Sequence, residues 1–397
     1  MSETLRLPPG TALDGPPAAE PPGDLPPASA RRRPWRHPAL VRPTVIYVLS
    51  RVVTMAAMAA AAPIAHLSFA GAVDRWDTRW FLRAAAYGWP HHLVTVHGRA
   101  TGTTIAFFPL FPLVIRFLAR LTGAPLLLTG ALVSALSGLV AMVAVWALVR
   151  RYAGAPAADR ATLLLAVFPG SFVFSLVYTE GIVISLVAVG LIALRQRRWV
   201  LAAVVGALAT ATSPVALAFE VSCVWVVVGE LRRTRRWSAL VAPAVVPAGF
   251  VAYQLWLWRR TGNLMAWKLT ERGGWHSYLS AAYPPHLLSW FVTHPFTSTA
   301  NMNMMVGGTA VAVVGLVIAL RDHQPAPLVL YGATVAALAL FTAPVGLRPR
   351  FVLDAFPLIL AIGVRLRGRP FRVAVVVSTV ALVALTFYSV DTFAVFP

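Results

Sequence analysis

The sequence is a succession of long apolar blocks, about 15 to 25 residues each, separated by short polar stretches. An α-helix needs roughly 20 apolar residues to cross the hydrocarbon core of a bilayer. Lipid admits only helices and closed barrels, because backbone polar groups find no water there. Continuous apolar blocks exclude a barrel, whose strands alternate apolar and polar residues. Hydrophobic residues make up 58% of the chain and charged residues 12%, against about 25% charged in a soluble protein. Mean hydropathy is +0.72. The expected fold class is an all-α polytopic membrane protein, a bundle of about 10–12 transmembrane helices.

Paired prolines dominate residues 1–38 (Pro8/Pro9, Pro16/Pro17, Pro21/Pro22, Pro26/Pro27), and few apolar side chains accompany them. Such a stretch cannot bury enough surface to fold and is expected to be a disordered basic tail. Residues 39–397 are expected to form one membrane domain. The first apolar block starts near Pro43, too late and too long for the core of a secretory leader, and is read as a first helix over roughly 42–70. Further spans are expected at 126–149, 161–177, 180–195, 199–215, 217–231, 239–258, 303–320, 326–343, 351–365 and 372–393. The segment 105–121 is expected to be interfacial or re-entrant.

Formal net charge is +20, from 34 basic and 14 acidic residues. The arginines cluster between apolar blocks, at Arg31–Arg33, Arg150/Arg151, Arg195/Arg197/Arg198, Arg232–Arg236 and Arg365–Arg372. That placement fits loops held on the cytoplasmic face against anionic head groups, not the basic stripe with interleaved aromatics of a nucleic-acid partner. A multi-pass protein of the plasma membrane is expected, with its N-terminus in the cytoplasm. The loop 71–104, the turn Tyr178–Glu180 and the loop 262–300 then face outward. Cys223 is the sole cysteine, so no disulfide forms within the chain.

With so few acids, chemistry is sought among those near the outer side: Asp74, Asp77, Glu180, Glu271 and Asp354. Asp74 and Asp77 follow the first helix in Val-Asp-Arg-Trp-Asp-Thr-Arg-Trp-Phe-Leu-Arg. If helical, their i, i+3 spacing sets both carboxylates on one face, with Arg75, Arg79 and Arg83 on another. A carboxylate near guanidinium groups stays ionised and suits a general base, while the arginines suit phosphate recognition. The loop 262–300 adds Trp267, Trp275, His276, Tyr278, Tyr283 and Trp290, a composition suited to stacking on sugar rings or to an interfacial aromatic belt. No metal site is expected from the histidines His91, His92 and His97, which lack a helical ligand spacing.

In chain order, Arg75-Trp76-Asp77, Tyr87-Gly88, Phe107-Phe108-Pro109-Leu110-Phe111-Pro112, Tyr178-Thr179-Glu180, Ala209–Val215, Gly262–Trp267 and Arg350–Pro357 form a recurrent pattern. On these motifs the chain resembles the PIG-V-like mannosyltransferases, membrane glycosyltransferases of the GT-C fold, in an actinobacterial form. The match covers about residues 71–360. It departs at Ser213, where the family commonly carries an arginine. The resemblance implies transfer of mannose from a polyprenyl-phosphate-linked sugar to a hydroxyl of a lipid-linked or membrane-bound glycan acceptor. It implies inversion at the anomeric carbon on the non-cytoplasmic face, with Asp77 as catalytic aspartate and Asp74 as fallback.

Residue chemistry is compatible with those implications. A sugar phosphate already carries a leaving group, so the protein must orient the acceptor hydroxyl, take its proton and stabilise the departing phosphate. Arg350 is the leading phosphate contact, with Arg75, Arg79 or His276 as helpers. Tyr178 and Glu180 orient sugar or acceptor, and Trp267 offers an aromatic face. No cofactor beyond the lipid-linked donor is called for, although a divalent cation would bridge phosphate and carboxylate. The alternative is a transporter or lipid flippase, which explains the helices and the intramembrane Glu220.

Overall fold

The computed structural model describes residues 38–294 and 299–392, so the tail expected to be disordered lies, apart from Pro38, outside the described residues. In chain order the elements are α1 (Pro38–Ile64), α2 (Phe69–Val73), α3 (Asp77–Tyr87), β1 (Thr95–Val96), β2 (Arg99–Ala100), α4 (Leu110–Thr122), α5 (Leu126–Ala153), α6 (Ala155–Ala166), α7 (Glu180–Arg195), α8 (Trp199–Thr212) and α9 (Ala218–Thr234). They continue as α10 (Val241–Val245), α11 (Ala248–Thr261), α12 (Ala266–Gly274), β3 (Tyr278–Leu279), α13 (Tyr283–Thr293), α14 (Ala300–Arg321), α15 (Ala326–Leu340), β4 (Thr342–Ala343), α16 (Pro349–Asp354), α17 (Phe356–Arg365) and α18 (Gly368–Asp391). Two short antiparallel ladders, β1 with β2 and β3 with β4, stitch the loops.

Among the described residues, five segments are long and apolar enough to cross a membrane: Leu40–Ile64, Leu126–Ala153, Pro214–Thr234, Ala300–Arg321 and Gly368–Asp391. Two bent pairs, Ala155–Ala166 with Pro169–Ser175 at 76° and Trp237–Val245 with Ala248–Thr261 at 43°, raise the number to seven if each is one span. The chain is thus an all-α, multi-pass membrane protein, with fewer full-length spans than the 10–12 expected. The shortfall has a geometric cause. α8, α15 and α17 are apolar but only 14, 15 and 10 residues long. At 1.5 Å per residue, 14 residues reach about 21 Å, short of a hydrocarbon core of about 30 Å.

The expected span 161–177 is broken after α6. Arg51 of α1 fills the break, donating to the carbonyls of Ala166 and Ser171 at 3.0 and 2.6 Å and to the hydroxyls of Ser171 and Ser175 at 3.0 and 3.2 Å. Carbonyls freed inside a bilayer need a donor from the protein, and this guanidinium supplies it.

Two close approaches then bring distant segments together. Gly170, in the 3-10 turn Pro169–Ser175, lies against the Pro349 carbonyl and the Arg350 backbone. Gly181, at the start of α7, lies against Ser137 and Gly138 of α5. A Cβ at either position would overlap backbone atoms, which is the small-residue packing that membrane helices use. As a result the turn Tyr178–Glu180 sits beside α16. Polarity separates along α7, whose 16 residues begin at Glu180 and end at Arg195, about 24 Å apart.

The segment 105–121 forms a 3-10 turn (Thr104–Ala106) and then α4, a 13-residue amphipathic helix. It buries Phe111, Pro112, Ile115 and Ala119 and exposes Leu113, Phe117 and Leu121. Thirteen residues span about 20 Å, too short to cross.

Candidate active site

α2 ends at Asp74, and Trp76 reverses the chain with φ 56° and ψ −129° before Asp77 opens α3. A tryptophan at positive φ is strained and persists only where its surroundings hold it. Here they do: Arg75 Nη1 donates to the Val390 carbonyl at 2.6 Å, and Trp76 Nε1 donates to the Ser389 carbonyl at 3.2 Å, both near the end of α18. This corrects the expectation that Asp74 and Asp77 share a helical face. Asp74 instead faces Arg79, whose Nε donates to the Asp74 carbonyl at 3.0 Å and lies 3.9 Å from its carboxylate, both side chains well exposed. Arg75, expected to help bind phosphate, is buried against α18.

Four of the expected residues do converge. Arg350 donates from Nη1 to Asp77 Oδ2 at 2.5 Å and from Nε to Glu180 Oε1 at 2.5 Å. Its guanidinium carbon lies 4.8 Å from the centre of the Tyr178 ring, a cation–π contact. The Asp77 backbone N–H donates to the Tyr178 hydroxyl at 3.3 Å. Ser134 of α5 fixes the turn, its hydroxyl donating to the Tyr178 carbonyl and accepting from the Tyr178 N–H, each at 3.0 Å. Side-chain exposure is 2% for Glu180, 17% for Arg350 and 22% for Asp77. The cluster is therefore withdrawn from solvent and opens on the Asp77 side.

Two of the outer-side acids, given no role from the sequence, complete it. Asp354, one helical turn after Arg350, is buried and interacts electrostatically with Glu180 and Arg350. Glu271 of α12 feels the charges of both Asp77 and Arg350. Burial pushes the Glu271 carboxyl up to about 8, the Asp77 carboxylate adds to the rise, and Arg350 opposes it. Its side chain keeps partial contact with solvent although protein surrounds it. Glu180 Oε2 and Asp354 Oδ1 are buried and accept no hydrogen bond among the described residues. One guanidinium thus bonds two carboxylates and lies within electrostatic range of two further carboxyl groups. Buried polar atoms are usually satisfied, and exceptions concentrate at functional sites.

An aromatic cluster packs on the first turn of α3, beside Asp77. Trp80 stacks on Phe107 at 6.0 Å, and Trp275 meets Trp80 edge-on at 5.4 Å and Phe107 at 5.5 Å. Trp267 belongs elsewhere: it packs edge-on to Phe108 at 5.9 Å and Phe250 at 5.6 Å in a separate apolar cluster. His276 is exposed in the turn after Trp275, with φ 55°, and makes no hydrogen bond to the acids among the described residues. Nor are three or more His, Cys, Asp or Glu side chains arranged there to hold a metal ion. The signals for the two added acids were an Arg-x-x-x-Asp spacing in Arg350–Asp354 and a Glu-x-x-x-Trp spacing in Glu271–Trp275.

No family model matches this sequence, and neither does any curated protein. Solved structures do resemble it. The fold is similar to that of ArnT from Cupriavidus metallidurans bound to undecaprenyl phosphate, with a TM-score of 0.50, 17% identity, and coverage of 83% of this chain and 61% of that one. The same protein in the apo state gives a TM-score of 0.51 at 16% identity with the same coverage. AglB from Archaeoglobus fulgidus, an archaeal oligosaccharyltransferase solved with an inhibitory peptide and a dolichol-phosphate, gives 0.47 at 13% identity, covering 88% of this chain and 55% of that one. The chain spans about three fifths of the length of ArnT. It shares the GT-C fold.

Proposed function

We propose that this protein is a membrane glycosyltransferase that moves mannose from a polyprenyl-phosphate carrier to a hydroxyl of a lipid-linked or membrane-bound glycan. The observation that carries the proposal is Arg350 bridging Asp77 and Glu180 from three segments far apart in the chain. The ordered motifs shared with PIG-V-like enzymes supply mannose and inversion. ArnT, whose fold the chain shares, is described with undecaprenyl phosphate bound, which favours a polyprenyl-phosphate donor.

The chemistry follows from the residues. Asp77 accepts the proton of the acceptor hydroxyl as its oxygen attacks the anomeric carbon. The bond from that carbon to the phosphate oxygen breaks on the opposite face, and polyprenyl phosphate departs with the electron pair. Arg350, already lying between the acids, meets the charge that develops on the phosphate. Glu180 and Tyr178 hold Arg350 in place, and Trp80 and Trp275 offer faces for a sugar ring. The arginine-rich helix ends favour a cytoplasmic position for that side, and with it a non-cytoplasmic position for the acidic end.

Purified protein in lipid, supplied with radiolabelled polyprenyl-phosphate mannose and a membrane lipid extract, should yield a labelled product of inverted anomeric configuration. Absence of transfer with mannose and several other carrier-linked sugars, together with movement of the intact carrier between leaflets of a vesicle, would favour the flippase instead.

A further inference from the structure

The proposed reaction leaves two carboxyl groups of the site without an assigned task, the buried Asp354 and, at the α12 end, Glu271. Asp77 and Glu180 are each tied to Arg350, whereas the Glu271 carboxyl forms no hydrogen bond or ion pair among the described residues. Its position is nevertheless fixed from both sides. Gly273 and Gly274 pack directly on the backbones of Ala100 and Gly102, so closely that a Cβ at either glycine would overlap them. Four residues after Glu271, Trp275 packs against Trp80, which follows Asp77 by three. Two helical pairs therefore face each other: Asp77 with Trp80 on α3, and Glu271 with Trp275 at the end of α12. The aromatic contact brings the two helix segments together, and Glu271 lies within electrostatic range of both Asp77 and Arg350.

A phosphate that approaches Arg350 past Asp77 and Glu271 is repelled less when Glu271 is neutral, because Arg350 is already paired with Asp77 and Glu180. We propose that Glu271 is a positioning residue that meets the donor as an uncharged carboxylic acid and donates a hydrogen bond to its phosphate. The inference rests on the polyprenyl-phosphate reading above and assigns this residue its part in it. No bond to carbon or phosphorus changes at Glu271. Its proton is shared with a phosphate oxygen on binding and returns when the product leaves. Burial supports this, since it holds the Glu271 carboxyl at about 8. The groups that face it are Asp77 of α3, Arg350 of α16 and the Tyr253 phenol of α11, with Lys268 and Arg272 on its own helix. A phosphate monoester loses its second proton near pH ~6, below the range in which Glu271 ionises.

The test is binding of undecaprenyl phosphate to the full-length protein in nanodiscs from pH 6.5 to 9.5, for wild type, Glu271→Gln and Glu271→Ala. Wild-type affinity should fall about tenfold per pH unit above about 8. Glu271→Gln, which keeps a donor and cannot ionise, should bind within about threefold of wild type at pH 7 and show no alkaline fall. Glu271→Ala should bind at least about tenfold more weakly throughout, as expected for loss of a hydrogen bond to a charged group. Wild-type binding that is flat with pH, or a Gln variant as weak as Ala, would overturn the role of Glu271 and leave the donor class standing. A wild type that binds no undecaprenyl phosphate at any pH, with a melting temperature unchanged by it, would overturn the donor class itself.

Discussion

Arg51 and Arg350 are both withdrawn from solvent, but the first is met by neutral oxygens and the second by carboxylates. Arg51 donates to two carbonyls and two hydroxyls at the break between α6 and the following 3-10 turn. That arrangement closes a gap in the helix ladder at Pro169, a residue with no N–H to continue the helix. Arg350 spans Asp77 and Glu180, with Glu180 Oε2 and Asp354 Oδ1 accepting no hydrogen bond among the described residues. A structural cation is surrounded by just the acceptors it needs, whereas a cation at a reaction centre is accompanied by surplus acceptors. The two regions are also joined. Ser171, which Arg51 holds, follows Gly170, and Gly170 packs on the backbone that presents Arg350.

The largest expected effect separates the two by activity. Arg350→Met should lower sugar transfer by about a thousandfold, as loss of preorganised charge stabilisation does, while the variant still inserts and purifies as a monodisperse species. Next comes stability. Arg51→Met should destabilise the fold by about 3 kcal/mol or more, because several buried acceptors lose their donor at once, and this would be read as a lowered melting temperature in detergent. Equal losses of transfer in the two variants would break the distinction. The smallest effect is expected at Trp275. Trp275→Ala should raise KM for the donor about three- to tenfold with kcat nearly kept, because the ring contributes to binding rather than to proton transfer.

Much of the site was legible because charge is rare in this chain: Asp77, Tyr178, Glu180 and Arg350 stand out against apolar surroundings and meet in space. Asp354 and Glu271 could be noticed as outer-side acids but not placed. Glu271 comes within electrostatic range of Asp77 on a helix whose Gly273 and Gly274 dock on Ala100 and Gly102, a tertiary contact with no local signature. The helical pairing of Asp74 with Asp77 failed for a related reason. Anchoring of Arg75 and Trp76 to α18, more than 300 residues away in sequence, overrides the local spacing. Trp267 was indistinguishable in composition from Trp275, and the packing of each ring decides between core and opening. Hydropathy identified the apolar blocks well but overestimated the spans, since it does not register where a helix stops short of a bilayer or bends within it.

The most direct measurement compares Asp77→Asn with Asp74→Asn in the same transfer assay, with melting temperatures recorded alongside. The two aspartates lie three residues apart, one bonded to Arg350 and the other to a surface arginine. Asp77→Asn should lose at least about a hundredfold in transfer rate with its fold retained, the scale of a missing general base, and Asp74→Asn should stay within about twofold of wild type. Equal losses in both variants, or transfer undiminished in Asp77→Asn, would contradict the assignment of the reaction to the Asp77–Arg350–Glu180 cluster.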